Sequence, residues 1–173
     1  MMEIVVETER LILRKFTLQD APFVLNLVNT PTWLRFIGDR NVHSIEDAER
    51  YLLNGSLKSY QEHGFGFYAV LTKESFQPVG MCGLVKRDSL KDVDIGFAFL
   101  PDSAGKGYGF EAATATMSLA KNTLKLKRII AIVDPENEIS IGLIKKIGLT
   151  YERMLQLSPD DIELMLWGKS LMG

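Results

Sequence analysis

The chain changes hydrophobic period three times. Residues 9–16 (ERLILRKF) repeat with the period of a half-buried strand. Thr17, with Asp20 three residues on, reads as a helix N-cap, and that helix should end near Asn29, before Thr30 and Pro31. A second helix should start at Ser44 and run through Ala48, Leu52 and Tyr60 to a His63–Gly64 terminus. Three strand-like runs follow, Phe65–Thr72, Pro78–Lys86 and Val93–Leu100. The turns between them, 73–77 and 87–92, are short enough only for antiparallel neighbours. Phe110, Ala113, Met117, Ala120 and Leu124 step by 3, 4, 3 and 4, one face of a helix. A strand (128–133), a helix ending at Gly148 and two strands, around 151–157 and 162–167, complete the chain. The predicted order is β-α-α-β-β-β-α-β-α-β-β. That is a mixed α/β (α+β) sheet, an antiparallel meander feeding one βαβ crossover, in one domain spanning 1–173.

Composition narrows the function classes. The chain has 173 residues, 46% of them hydrophobic, which fills a sizeable core. A net charge of −2 argues against nucleic acid as a partner. One Cys and two distant His make neither a disulfide framework nor a metal set. The charged start (MMEIVVETERLILRK) does not read as a signal peptide, and apolar runs such as 129–133 are too short to span a bilayer. The expectation is a cytoplasmic protein with no membrane partner. Oligomeric state, monomer or homodimer, is left open.

The segment with most chemical content is Leu100-Pro101-Asp102-Ser103-Ala104-Gly105-Lys106-Gly107-Tyr108-Gly109-Phe110-Glu111, between a strand and a helix. Three alternate glycines let backbone N–H groups approach an anion, and the helix N-terminus adds further donors and a positive dipole end. A P-loop is excluded, because Leu100 holds its first glycine position and Gly107 follows the Lys. A dinucleotide fingerprint fails at Phe110. A flexible loop with a glycine helix entry is the plainer alternative.

The ordered set of motifs resembles the GNAT superfamily of acetyl-CoA-dependent N-acetyltransferases. The carriers are Thr8-Glu9-Arg10-Leu11-Ile12-Leu13-Arg14, then Val93-Asp94-Ile95-Gly96-Phe97 with the glycine loop, then Val133-Asp134-Pro135-Glu136-Asn137 with Ser140 and Lys145-Lys146-Ile147-Gly148-Leu149. Together they look most like the branch that includes ribosomal-protein alanine N-acetyltransferases. The resemblance implies a GNAT-like fold and acetyl-CoA as cosubstrate, without a metal. It also implies direct attack by an amine in a ternary complex. The acceptor would be a protein N-terminal α-amine or a small-molecule amine.

By the same resemblance, the main chain of Phe97, Ala98 and Phe99 should flank the pantetheine arm. Gly105, Lys106, Gly107, Tyr108, Gly109 and Phe110 should hold the pyrophosphate. Asn137 should reach the pantetheine amides, or else simply cap its helix. Asp94 is the candidate base, with an ion pair to Arg87 or Lys91 as its structural alternative. Glu111 reads as dipole stabilisation. Two positions depart from the family pattern: Ala104 stands at the usual Arg/Gln of the loop, and Ile144 at the usual acid Tyr. Ser140 then becomes the candidate proton donor to the thiolate, or an ordinary first-turn serine. A non-catalytic acyl-CoA-binding module is the rival reading, and a dinucleotide-dependent oxidoreductase a more distant one.

Overall fold

The computed structural model describes residues 2–172. Its strands are β1 (Ile4–Glu7), β2 (Leu11–Lys15), β3 (Phe67–Thr72), β4 (Pro78–Val85), β5 (Val93–Phe99), β6 (Arg128–Val133), β7 (Thr150–Leu155) and β8 (Leu164–Ser170). Its helices are α1 (Ala21–Leu27), α2 (Pro31–Phe36), α3 (Ile45–Asn54), α4 (Ser56–His63), α5 (Tyr108–Ser118) and α6 (Glu138–Lys146). All the strands join one sheet in the order β1-β2-β3-β4-β5-β6-β8-β7. β1 to β5 form the antiparallel meander, and β5 and β6 are the one parallel pair among the described residues. The crossover between them runs through α5, as their direction requires.

Period-two alternation divides the core between the two sheet faces. Leu11, Leu13, Val70, Cys82 and Leu84 pack with Ala112, Ala113 and Met117 of α5 and Ile144 of α6. Ile12, Ala69, Leu71 and Met81 point the other way and pack with Val24 and Leu27 of α1, Trp33 of α2 and Leu52 of α3. Ala112 and Ala113 are fully buried, so α5 lies close against the strands that form the centre of the sheet.

The structure departs from the sequence reading in four places. First, Pro31 opens a helix as well as closing one: α2 begins on it, because a first-turn N–H has no helical partner to lose. Second, the helix expected over 44–63 is two helices. Gly55 interrupts it at φ −109°, ψ −102°, and glycine is a poor helix former. Third, Phe110 is not on the buried face of α5 but 44% exposed. It lies in the first turn, with the Lys146 ammonium 6.0 Å from its ring centre. β1, a short edge strand paired with β2, is an addition to the expected order.

The junction between β2 and α1 rests on one buried carboxylate. Asp20 accepts two hydrogen bonds from the Arg14 guanidinium, both at 2.8 Å, and a third from the Thr17 N–H at 2.9 Å. Removing one member of such a pair strands the other charge, at a cost of about 3–5 kcal/mol. Asp20→Ala should therefore lower unfolding stability by about 3 kcal/mol in urea titrations. Arg14→Met in the same chain should recover part of the loss, because no unpaired guanidinium is then left behind.

Candidate active site

The site begins with a divergence of two strands. β5 is paired to β4 over Asp94–Phe99, and β6 to β8 over Arg128–Val133. Between β5 and β6 only Val93↔Ile129 and Asp94↔Ile130 are in register. Beyond Asp94 the two strands part, and the β5 edge of Phe97, Ala98 and Phe99 has no strand beside it. Backbone groups on such an edge need another partner. The side chains of Phe97 and Phe99 pack on the α5 side, and Ala98 packs on the opposite face.

The glycine loop stands at the end of that edge. Gly105 (φ +77°) and Gly107 (φ +81°) are both left-handed, a conformation that side chains resist. Gly109 lies close to α6 instead: a Cβ there would come within 3.1 Å of Leu143 Cδ2, a contact that Leu143 would have to shift to relieve. Among the described residues, no protein acceptor takes the N–H groups of Gly105, Lys106, Gly107, Tyr108, Gly109 or Phe110. The next one, that of Glu111, bonds to the Gly107 carbonyl at 3.1 Å. Six consecutive free donors at a helix N-terminus form an anion cradle.

The β1–β2 turn staples this loop, a contact the sequence reading missed. Glu111 accepts hydrogen bonds from the Thr8 hydroxyl (2.5 Å), the Arg10 N–H (2.8 Å) and Arg10 Nε (2.7 Å). Arg10 Nη1 also donates to the Lys106 carbonyl at 2.9 Å, and the guanidinium lies 4.8 Å from the centre of the Tyr108 ring. Burial works to raise the Glu111 carboxyl, but the hydrogen bonds from Thr8 and Arg10 outweigh it and hold the group below the usual range. Glu111 is therefore a tie between the first hairpin and the loop, beyond the dipole role expected of it. The motif Thr8-Glu9-Arg10 was the available signal, but its partner lies about a hundred residues away in sequence.

A cleft of about 440 Å³ opens along the β5–β6 divergence. Asp94, Gly96, Phe97, Ala98, Asn137, Ser140 and Ile144 line it, which brings the predicted base and acid together with two of the three predicted pantetheine-flanking residues; Phe99 and the Gly105–Phe110 cradle lie outside its lining. Asp94 is 4% exposed, and its Oδ2 accepts from Arg87 Nε at 2.7 Å. Burial raises the Asp94 carboxyl despite the opposing charge and hydrogen bond of Arg87. Asn137 caps α6, its side-chain oxygen accepting the Ser140 N–H at 3.2 Å; no hydrogen bond of its amide NH₂ is found among the described residues. Ile144 is 2% exposed and has no proton to give. Cys82 lies outside the cleft. Its thiol faces Thr116 at 3.3 Å, and burial pushes it up to about 12. Several other lining residues were not legible in the sequence. Trp33, Phe36 and Ile37 come from α2 and the residue after it, Arg40 from the next loop, Tyr51 from α3, and Arg87 from the turn after β4.

Comparison with known proteins is consistent with this geometry. The model of the acetyltransferase (GNAT) domain matches residues 10–150. The uncharacterized N-acetyltransferase YoaA of Bacillus subtilis (strain 168) is 29% identical over 154 residues, covering 88% of this chain and 86% of its own. The crystal structure of a GNAT-family acetyltransferase from Bacillus anthracis superposes with a TM-score of 0.78 at 25% identity, over 99% of both chains. RimL, a ribosomal L7/L12 α-N-protein acetyltransferase in complex with coenzyme A, superposes with a TM-score of 0.82 at 18% identity. It covers 97% of this chain and 98% of its own.

The staple has a direct physical readout. Glu111→Gln keeps the shape but weakens the charge-assisted bonds from Arg10. NMR order parameters of the Lys106–Gly109 amides should fall from the rigid range of about 0.85 to below about 0.6, with those of the sheet unchanged. Equal order parameters in the two proteins would show that the loop holds its form without the staple.

Proposed function

This chain belongs to the acetyltransferase (GNAT) family, and we propose that it moves the acetyl group of acetyl-CoA to a primary amine by direct attack in a ternary complex. One observation carries the cosubstrate assignment: an unpaired strand edge that leads to six free N–H donors. A long amide-bearing arm ending in a pyrophosphate is complementary to that surface, with the arm along Phe97–Phe99 and the phosphates at Gly105–Phe110. Lys106 adds a full positive charge there. RimL, which shares the fold, is described in complex with coenzyme A, and this supports the same reading here.

Bound acetyl-CoA supplies the activated acetyl thioester, and the chain's own residues do the rest. The β5 edge orients the carbonyl by offering it an N–H. Asp94, with Oδ1 outside its bond to Arg87, takes the proton of the incoming ammonium directly or through water. Asn137 offers its amide NH₂ to the pantetheine while its oxygen holds the helix. Ser140 stands in the cleft as the donor nearest the position that Ile144 cannot serve. Cys82, fully buried with its thiol pushed up to about 12, takes no acyl group, in keeping with direct transfer.

The acceptor is a protein N-terminal α-amine or a small-molecule amine. The first is supported by the shared fold of RimL, described as an α-N-protein acetyltransferase, and the second by the confined volume of the cleft. Ala104 and Ile144 favour one other reading, a cytoplasmic acyl-CoA-binding module without turnover. Release of free thiol from acetyl-CoA with any member of an amine and peptide panel decides against that module.

Two variants test the assignments. Gly107→Val forces a branched side chain onto φ +81° and brings its Cβ 3.2 Å from Arg10 Nη2, so it disturbs both the cradle's conformation and the staple that holds it. Calorimetry should show coenzyme A affinity falling by at least tenfold in a folded protein, and unchanged affinity would remove the loop from the site. Asp94→Asn tests the base. The group must be ionised to accept a proton, and burial raises its pKa. The acid limb of the wild-type kcat/KM profile should therefore lie above the ordinary Asp value of about 3.9 and vanish in the variant. Above that limb the variant's loss should be largest at low pH, about tenfold or more, and shrink as pH approaches the amine's own pKa. A loss independent of pH would make Asp94 a binding group for the ammonium.

A further inference from the structure

The proposed acetyl transfer uses Asp94 but leaves unexplained several donors that line the same cleft. Arg87 bonds to Asp94 only through Nε, and among the described residues its two terminal nitrogens have no acceptor. Arg40 makes no hydrogen bond or ion pair among the described residues, although it lines the same cleft. Tyr51, also without a hydrogen-bond partner, lies within the field of both: burial raises its phenol pKa, and the charges of Arg40 and Arg87 oppose that rise. In the same cleft the indole N–H of Trp33 is buried without an acceptor. Arg40 and the terminal nitrogens of Arg87 are open to solvent here, with Tyr51 in the field of both, and together these donors are complementary to an anionic oxygen acceptor.

The acids of the cleft are Asp94 and Asp134, and Asp134 already accepts the Glu136 N–H at 2.8 Å. The cleft therefore offers both signs of charge. A polycationic amine would satisfy the acids but would bring its remaining charges against two arginines. A monoamine without an anion would leave the arginines unmatched. A molecule with one amine and one carboxylate satisfies both.

We propose that the acceptor is an amine that carries its own carboxylate, bound by Arg40, the free end of Arg87 and Tyr51 while its amine is presented to Asp94 and the β5 edge. The proposal rests on the acetyl-transfer reading and names its substrate class. Guanidinium groups bind carboxylates with two parallel hydrogen bonds, fixing direction as well as position. Anchoring the carboxylate in this way restricts where the amine can sit, which is how remote binding accelerates attack. The carboxylate belongs either to a free amino acid or to an acidic residue beside a peptide N-terminus.

The test uses the full chain and matched pairs: each common amino acid against its α-amide, 4-aminobutyrate against butylamine, and peptides Ser-Glu-Ala-Ala against Ser-Lys-Ala-Ala, with spermidine alongside. Thiol release gives kcat/KM. Tryptophan fluorescence of the coenzyme A complex gives acceptor binding without turnover. Carboxylate-bearing members should exceed their partners by at least tenfold in one or both readouts. Preference among free amino acids or among acidic peptides identifies the source of the carboxylate, and either supports the proposal. Arg40→Gln should raise the KM and Kd of the preferred acceptor about tenfold and erase the preference, with coenzyme A affinity unmoved; Arg40→Lys should restore part of it. Equal use of amides, preference for spermidine, or a preference that survives Arg40→Gln would overturn the proposal while leaving acetyl transfer intact. Failure of every amine to turn over would instead count against acetyl transfer, and the fluorescence arm would still decide whether the carboxylate site exists.

Discussion

The separation of β5 from β6 is the constraint on which the site depends. Each strand is fully committed on its outer side, β5 to β4 and β6 to β8. They share only the pairs at Val93 and Asp94, so neither can bend to follow the other without breaking its own ladder. The consequence is a row of strand polar groups at the centre of a sheet with no strand to meet them. An unpaired buried group costs about 1–3 kcal/mol, so such a row is tolerable only where solvent or a ligand reaches it. Asp94 sits at the fork. It is the last β5 residue in register with β6, and it is buried there with Arg87 as its counter-charge.

The same constraint explains why the first hairpin matters to a loop a hundred residues away. A glycine loop with two left-handed residues has a high entropic cost to hold in one conformation. On its own the exposed Arg10–Glu111 pair would add little stability. Here the two side chains also bond to the Thr8 hydroxyl, the Arg10 N–H and the Lys106 carbonyl. The network fixes the loop's outer side and leaves its N–H groups turned away from protein acceptors. Local order at the cradle is thus supplied by the hairpin at the edge of the sheet.

Much of this was legible in the sequence, because the information was local. Short turns fixed the antiparallel meander, three alternate glycines marked the cradle, and Thr17 with Asp20 marked a capping box that the structure contains. Asp94, Asn137 and Ser140 were singled out by the resemblance to the GNAT family, and all three line the cleft. What escaped was non-local. Arg10 with Glu111, and Arg40 with Tyr51 and Arg87, are neighbours only after folding, and no spacing rule joins them. Phe110 was misread because helical periodicity gives the direction of a face but not where the sheet beneath it stops.

The loss of the usual tyrosine can be understood from the two protons of the proposed reaction. The leaving group is a thiol, whose ordinary pKa of about 8.5 lets the thiolate depart near neutral pH without an obligatory donor. The incoming group is an amine, with a pKa of about 7.7–8.0 for a peptide α-amine and about 10.4 for one like a lysine side chain, and it cannot attack while protonated. Removing the amine proton is the obligatory requirement. Ile144, buried in the cleft wall, therefore gives up the less demanding of the two proton transfers and leaves it to Ser140 or water. In the proposed reaction the group that takes the amine proton is Asp94. Its burial raises its affinity for a proton, while Arg87 keeps an ionised form accessible. A base needs both properties, and the fork between β5 and β6 supplies both at one residue.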